Sequence, residues 1–202
     1  MPQLRSEETR ERLLQAAAAC FAEYGYEATG TAEICRQAGV SKGAFYHHFP
    51  TKQAVFLELL NRWLEGLEAQ MTAAQAGAAS APDRLRAMAA SAAPVFRDGG
   101  EGQMTLFLEF WSQAARDAQV RQAALAHYHR YRDDFAERVR AGQAEGSLGP
   151  ADPSTVAHVI VSLAVGLLLQ SLLDPHGADW GKVAQAGLDI VLNGLKPDQK
   201  GL

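Results

Sequence analysis

The spacing of the apolar residues restricts the fold most, because they recur three and four positions apart along nearly the whole chain. This spacing places apolar side chains along one side of an α-helix, and almost no segment shows the alternation of a β-strand. Breaks rich in glycine and proline at 76–82, 97–102, 145–153 and 173–179 separate the apolar segments. The sequence therefore predicts an all-α protein.

Nine helices are expected from these breaks and from the residues that can cap helix ends. Ser6, Ser41 and Thr51 are the predicted N-caps of the first, third and fourth helices. Gly25 should end the first helix and Gly39 should supply a tight turn, since glycine tolerates the left-handed conformation. The expected ranges are 6–24, 31–38, 42–49, 52–74, 82–97, 103–115, 118–144, 153–173 and 179–195.

Composition limits what kind of binding the protein can perform. The chain has 202 residues, 48% of them hydrophobic, and a net charge of −4, which suits a soluble protein with a sizeable core. Net acidity argues against a basic coat for nucleic acid, so any anion site must be local. Cys20 and Cys35 lie in apolar helical segments, and the N-terminal segment is charged where a secretory signal is apolar. Both are predicted to be reduced core thiols of a cytoplasmic protein.

One segment has the composition of a membrane span. Ser154–Leu173 contains no Asp, Glu, Lys or Arg. It does contain His158, Ser162 and Gln170, and no cluster of positive charge flanks it. We therefore expect this helix to be buried by protein rather than by lipid.

The segment Gly39–Lys52, GVSKGAFYHHFPTK, is locally basic in this acidic chain. It contains two lysines and two histidines, and no acidic residue occurs anywhere between residues 34 and 56. Two short helices joined by a tight turn are the ingredients of a helix-turn-helix, whose second helix enters the major groove of DNA. The residues placed to form the buried seam between the two helices are Ile34, Ala38, Val40 and Phe45.

The second short helix carries side chains that suit a groove. Its first N–H groups and the positive end of its dipole favour phosphate. Lys42 offers charge, and Gly43 and Ala44 are small enough for close approach to base edges. The other side chains predicted to reach phosphate oxygens are Tyr46, His47, His48 and, at the start of the next helix, Lys52.

GYEATGTAEICRQAGVSKGAFYHHFPTKQAVFLELL resembles the DNA-binding domain of the TetR family of bacterial transcription regulators, and the resemblance covers residues 6 to about 60. AGVSKGxxYxHFxxK is a specific signature, and LEFWSQAARD, RAGQAEGSL and VGLLLQSLLDP further resemble regulatory domains of the family. The resemblance implies a helix-turn-helix DNA-binding domain in residues 1–50 and a six-helix ligand-binding and dimerisation domain in residues 51–202. It implies a repressor, not an enzyme, that binds a palindromic operator as a homodimer and is released by a small molecule.

The family pattern also assigns DNA contacts by matched position. The assigned residues, contacting mostly phosphates, are Thr29, Thr31, Lys42, Tyr46, His47, His48 and Lys52. Gly43 and Ala44 would lie against base edges. The chain departs from the family at Gly30, where Thr or Ser is frequent, so a cap at the second helix is lost unless Thr31 replaces it.

The last two predicted helices, near 153–173 and 179–195, are apolar around more than one stripe. The core of a single chain covers only one face, so the remaining apolar surface needs a partner. Gly166, Ala184 and Gly187 permit close approach of helices. A two-fold four-helix interface would satisfy this, with recognition helices roughly 34–36 Å apart. A monomer that buries both helices internally is the alternative.

The middle helices combine aromatic and polar residues, as a small-molecule site does. The candidate effector-binding residues are Trp63, Phe107, Glu109, Phe110, Trp111, Tyr128 and Tyr131. Glu109 needs a partner: it pairs with Arg130 or Arg132, faces solvent, or selects a cationic or hydroxyl-bearing effector. The aromatic residues are equally compatible with a plain core.

An all-α fold also occurs in enzymes and in binding or scaffold proteins. An all-α enzyme lacks support, because no GxSxG, HExxH or glycine-rich phosphate loop occurs, and no cofactor or metal is predicted. His127 and His129 are two residues apart and point in different directions on a helix. An all-α binding or scaffold protein could use the N-terminal module for protein contacts. Salt separates this alternative from DNA binding, which weakens steeply as salt rises.

Overall fold

The structure, a computed structural model, describes residues 2–91 and 101–197, with the side chains of 5–91 and 106–197. This part of the chain forms nine helices and no strand. They are α1 Pro2–Tyr24, α2 Thr31–Ala38, α3 Lys42–His48, α4 Lys52–Ala74, α5 Ala81–Ser91, α6 Glu101–Arg116, α7 Ala118–Ala144, α8 Pro153–Leu173 and α9 Trp180–Gly194. The predicted all-α fold is confirmed.

Most of the predicted helix ends are also confirmed. Ser41 Oγ accepts a hydrogen bond from Ala44 N at 3.1 Å, and Thr51 Oγ1 accepts one from Ala54 N at 3.0 Å. The prediction for Ser6 is wrong, because α1 begins at Pro2, whose fixed φ suits the first turn of a helix. The end of the helix predicted over 82–97 lies outside the described residues.

The described residues pack into two compact units. The first combines those of 1–64 and 99–125, and the second those of 65–98 and 126–202. These units are defined by packing alone. The predicted division of the chain into two domains at residue 50 stays a prediction.

The core of the first unit lies where α1, α2 and α3 meet the start of α4. Ile34, Ala38 and Phe45 are buried and Val40 packs against them, which confirms the predicted seam. Tyr24 was expected to continue the apolar stripe of α1, but it is the last residue of that helix and is 49% exposed.

Cys20 and Cys35 are free and buried, as predicted. Cys20 Sγ donates a hydrogen bond to Gln37 Oε1 at 2.8 Å. Burial raises the pKa of both thiols, so both remain protonated at neutral pH.

In the second unit, the described residues leave part of α8 uncovered. Among the described residues it is the one helix that is long and apolar enough to cross a membrane, and 28% of its most apolar stretch is buried. Val156, Ala157 and Ile160 lie in the core, while Val159 and Leu173 are exposed. The described residues of one chain bury α8 only in part, and its complete burial by protein stays a prediction.

The turn between α2 and α3 depends on Gly39, which has φ 63°. We expect Gly39→Ala to lower the free energy of unfolding by about 1–2 kcal/mol, because a left-handed residue with a Cβ is strained. That Cβ would also lie 3.2 Å from Arg12 Nη2. Urea unfolding of the purified protein measures the change.

Gly66→Ala is the matched control for this substitution. Gly66 is exposed inside α4 and an added Cβ there meets no atom within 4 Å. The same change should therefore stabilise the protein by about 0.5–1 kcal/mol, since alanine favours the helix. Equal unfolding midpoints for Gly39→Ala and the unmodified protein would contradict the role of the turn.

Candidate nucleic-acid interface

The short helix α3 separates buried from exposed side chains. Phe45 and Phe49 are buried, at 0% and 3% exposure, and attach the helix to the core. The Ser41 cap satisfies the N–H of Ala44 at its start. Facing away from the core are the exposed residues Lys42, Gly43, Tyr46 and His47, with Ala44 and His48 half-buried. Six of the nine predicted DNA-contacting residues therefore follow one another along this helix.

Neighbouring rings and charges set the orientation and protonation of this surface. The Tyr46 ring packs edge-on against Phe45, with centroids 5.3 Å apart, and the rings of His47 and His48 are 5.1 Å apart. Burial lowers the pKa of His48, and the positive charge of Arg10 adds to this effect. His48 is thus neutral at pH 7, where it can donate a single hydrogen bond.

Lys42 is the cation that this surface offers. It is exposed, and no ion pair of the described residues includes it. Arg36, another exposed cation between residues 34 and 56, is bound by Glu33 on the same helix, with its Nε 3.0 Å from Oε2. The count over 34–56 missed this pairing because Glu33 lies one residue outside it.

Lys52, at the start of α4, lies apart from the exposed row on α3. Its Nζ donates hydrogen bonds to Tyr26 O at 2.6 Å, Thr29 O at 2.9 Å and Glu27 O at 3.4 Å. The ammonium also lies 4.2 Å from the centre of the Tyr26 ring. Burial lowers the pKa of Lys52, and Glu27 and Glu109 oppose this effect. All three N–H groups of Lys52 are used inside the protein.

The two predicted threonines also lie outside α3. Thr29 is 2% exposed, and its hydroxyl donates to the backbone oxygen of Gly25 at 2.7 Å, with the backbone oxygen of Cys20 also 3.1 Å away. Thr31 is half-buried and is the first residue of α2. The N-cap is Gly30, with no side-chain hydrogen bond, so Thr31 does not replace the missing cap.

Helix α6 reaches the turn between α1 and α2. Gln113 is 5% exposed and its Nε2 donates to Glu27 Oε1 at 3.1 Å and to Glu109 Oε1 at 3.4 Å. Gln53, at the start of α4, donates to Asp117 Oδ2 at 2.8 Å. Sequence reasoning missed these contacts because their partners are 64 and 86 residues apart.

The two arginines that the sequence suggested as partners of Glu109 each have a partner within their own unit. Arg130 Nε binds Glu68 at 3.2 Å, and Arg132 Nη2 binds the adjacent Asp133 at 2.8 Å. Glu109 is half-buried beside Gln113 instead.

The predicted effector-binding residues fall into two groups. In the first unit, Trp63 contacts Phe107 and Phe110, and Phe107 contacts Trp111, with ring centres 5.9–6.1 Å apart. Phe107 and Phe110 are buried, whereas Trp111 is 54% exposed.

The other two predicted effector residues lie in the second unit. The Tyr128 ring is 6.4 Å from that of His158. Burial raises the pKa of Tyr131, and the negative charge of Glu68 adds to the effect. The seven predicted residues are thus not gathered within one unit.

A capped helix that follows a left-handed turn and exposes one cation with a row of small and hydrogen-bonding side chains defines a helix-turn-helix DNA-binding protein. A profile of bacterial regulatory proteins of the tetR family matches residues 13–59, and a profile of the C-terminal part of BetI-type transcriptional repressors matches residues 81–192. The regulator UidR of Escherichia coli K12 is 26% identical over 168 residues, which cover 82% of this chain and 83% of UidR.

Solved structures share the fold over nearly the whole chain. A TetR-family regulator from Streptomyces coelicolor superposes with a TM-score of 0.81 at 27% identity, covering 94% of this chain and 96% of that one. A protein described as a transcriptional regulator from Saccharomonospora viridis, solved in complex with choline, gives 0.82 at 24% identity, covering 94% and 98%. The chain belongs to the TetR family and is a DNA-binding transcriptional regulator.

Proposed function

We propose that this regulator is a cytoplasmic repressor that binds a palindromic operator as a homodimer and leaves it when a small molecule binds. The observation that carries the DNA-binding part is the exposed row on α3. Lys42, Tyr46, His47 and His48 contact phosphates in this proposal, and Gly43 and Ala44 approach base edges. Thr29 and Lys52 support the α1–α2 turn instead of contacting DNA. Thr31 contacts a phosphate near the start of α2. Residues 1–50 act as the DNA-binding domain and residues 51–202 as the regulatory domain.

The uncovered face of α8 and α9 supports the homodimer. Leu173 and Ile190 are 87% and 73% exposed, and α8 contains no Asp, Glu, Lys or Arg. Gly187 already serves packing inside the chain, because an added Cβ would lie 3.0 Å from Leu163. An added Cβ at Gly166 meets nothing within 4 Å, which leaves room for a helix of a second copy. A second copy covers an apolar face without requiring any charged partner.

The effector site is proposed in the regulatory domain, among its predicted effector-binding residues. The Saccharomonospora viridis protein was solved with choline, which supports a small-molecule site in this fold. The match to the C-terminal part of BetI-type repressors supports repression.

Ring contacts offer a physical route from the predicted effector-binding residue Trp63 to the DNA-binding domain. They run from Trp63 through Phe110 and Phe56 to Tyr26, with neighbouring centres 4.6–6.1 Å apart. The Tyr26 ring in turn lies beneath the Lys52 ammonium. A tenfold loss of operator occupancy requires only about 1.4 kcal/mol of differential effector affinity between two positions of α4. Identical half-site spacing in free and effector-bound dimers would argue against this route.

Selection of bound duplexes from a random DNA pool tests the proposed function. The purified protein should enrich a palindrome whose half-sites lie about one helical turn apart. Enrichment of a single half-site would contradict the dimer, and no enrichment would contradict operator binding. In the scaffold alternative, the affinity of the N-terminal module for its partner would not fall steeply with salt.

The exposed position of Lys42 gives a specific prediction for the enriched duplex. Lys42→Ala should weaken binding about tenfold on every sequence, because it removes a phosphate contact from each half-site. The slope of log affinity against log salt should become shallower by about 1.8, roughly 0.9 for each of two contacts. Fluorescence anisotropy at several salt concentrations measures both quantities.

A base-substitution scan provides the opposing outcome for Lys42. If Lys42→Ala relaxed discrimination at one base pair only, Lys42 would be reading that base. Lys42→Arg is the matched control, since it keeps the charge at the same place and should retain most of the slope.

A further inference from the structure

Arg12, on α1, binds the turn that leads into the recognition helix α3. Its Nε donates to Ala38 O at 3.0 Å and its Nη2 to Gly39 O at 2.8 Å, with a second contact from Nη2 to Ala38 O. We propose that Arg12 is a positioning residue for DNA recognition, which fixes the direction in which α3 leaves α2 without contacting DNA itself.

The hydrogen bonds of the turn explain why an arginine is needed there. Gly39 N donates to Arg36 O at 3.2 Å and Val40 N to Cys35 O at 3.0 Å, which satisfies two carbonyls at the end of α2. Among the described residues, no backbone N–H donates to the carbonyls of Ala38 and Gly39. The fork of a guanidinium supplies donors to both, and its charge suits the negative end of a helix dipole.

Arg12 and Gly39 are fitted to each other. Gly39 is left-handed, and a Cβ on it would lie 3.2 Å from Arg12 Nη2. Only Val40 and Ser41 separate Gly39 from Lys42, where α3 begins. A change in this turn therefore reorients the whole exposed row, and the close approach of Gly43 and Ala44 to base edges requires placement within about 0.5 Å. Contacts to phosphate charge are less sensitive to such a change.

The surroundings of Arg12 allow it to be replaced without opening the core. It is exposed and borders a groove of about 280 Å³ with Gln15, Ala16, Gln37 and Ala38. A shorter side chain therefore leaves no buried cavity, which is the usual cause of large losses of stability.

The test compares Arg12→Lys and Arg12→Gln on the selected operator and on a scrambled duplex, each over a range of salt. Arg12→Lys keeps the charge but not the fork. Both variants should bind the operator about tenfold more weakly. Their salt slopes should stay unchanged, and Arg12→Lys should bind the scrambled duplex as the unmodified protein does. Amide hydrogen exchange should accelerate in residues 39–49 while the rest of α1 stays protected.

Gln15→Ala, on the same groove, is the matched control and should change neither affinity. Three outcomes would overturn the proposal. Operator affinity could be unchanged in both variants, so that the turn does not need Arg12. Arg12→Lys could retain full affinity while Arg12→Gln loses about 1.8 in slope, as a phosphate contact would. Global unfolding of both variants would also overturn it, because the proposal requires a local loss of order.

Discussion

Ile190→Asp should convert the protein from a dimer to a monomer and weaken operator binding at least 100-fold. Ile190 is 73% exposed on α9 of the single chain, so the substitution costs the folded monomer little. In a two-fold interface the same residue occurs twice, and each unpaired carboxylate buried there costs several kcal/mol. We therefore expect the dimer dissociation constant to rise at least about 1000-fold. Sedimentation velocity and operator titration measure the two effects.

Thr72→Asp is the matched control for the interface substitution. Thr72 is exposed near the end of α4 and the change adds the same charge. This variant should sediment as a dimer and keep most of its operator affinity. If Ile190→Asp left the dimer dissociation constant unchanged, the dimer interface would lie elsewhere. The proposal that α8 and α9 pair the two subunits on a palindrome would then lose its basis.

Lys52→Met should destabilise the protein by about 2–3 kcal/mol while leaving the salt dependence of DNA binding unchanged. The substitution removes the donor to Tyr26 O, Thr29 O and Glu27 O, and partly buried carbonyls without a donor are costly. The contact with the Tyr26 ring is lost as well. Urea unfolding and anisotropy at several salt concentrations test the two parts of this prediction.

Lys42→Met gives the opposite result in the same two measurements. Lys42 is exposed, so its replacement should leave the unfolding midpoint in place and make the salt slope shallower by about 1.8. If Lys52→Met behaved in this way too, Lys52 would be a phosphate contact, as the family pattern implies, and its bonds to the turn would be dispensable.

Local features of the sequence predicted the helix-turn-helix well. Ser41 caps α3, Gly39 is left-handed, and Ile34, Ala38 and Phe45 are buried. Each of these outcomes depends on residues a few positions apart, through helix periodicity, capping or the conformational freedom of glycine. The order of α3 residues that face outward followed from the same short-range rules.

Roles that depend on distant partners could not be predicted in this way. Lys52 and Thr29 have the residue types of phosphate contacts, yet their donors are used inside the protein. For Glu109 the sequence left an arginine partner, solvent or an effector open, and the fold places this carboxylate beside Gln113. The donors and acceptors of a side chain are chosen by whichever groups the fold brings within about 3 Å, and residue type does not encode that choice.

By itself the sequence determined the helices, the turn and the apolar α8, because these arise from short-range backbone preferences and from hydrophobic periodicity. Only the tertiary structure decided which cations remain available to DNA. Folding brings Arg12 to carbonyls 26 and 27 residues away and Lys52 to carbonyls 23–26 residues away. Lys42 stays exposed because the buried Phe45 holds its helix with this side facing solvent.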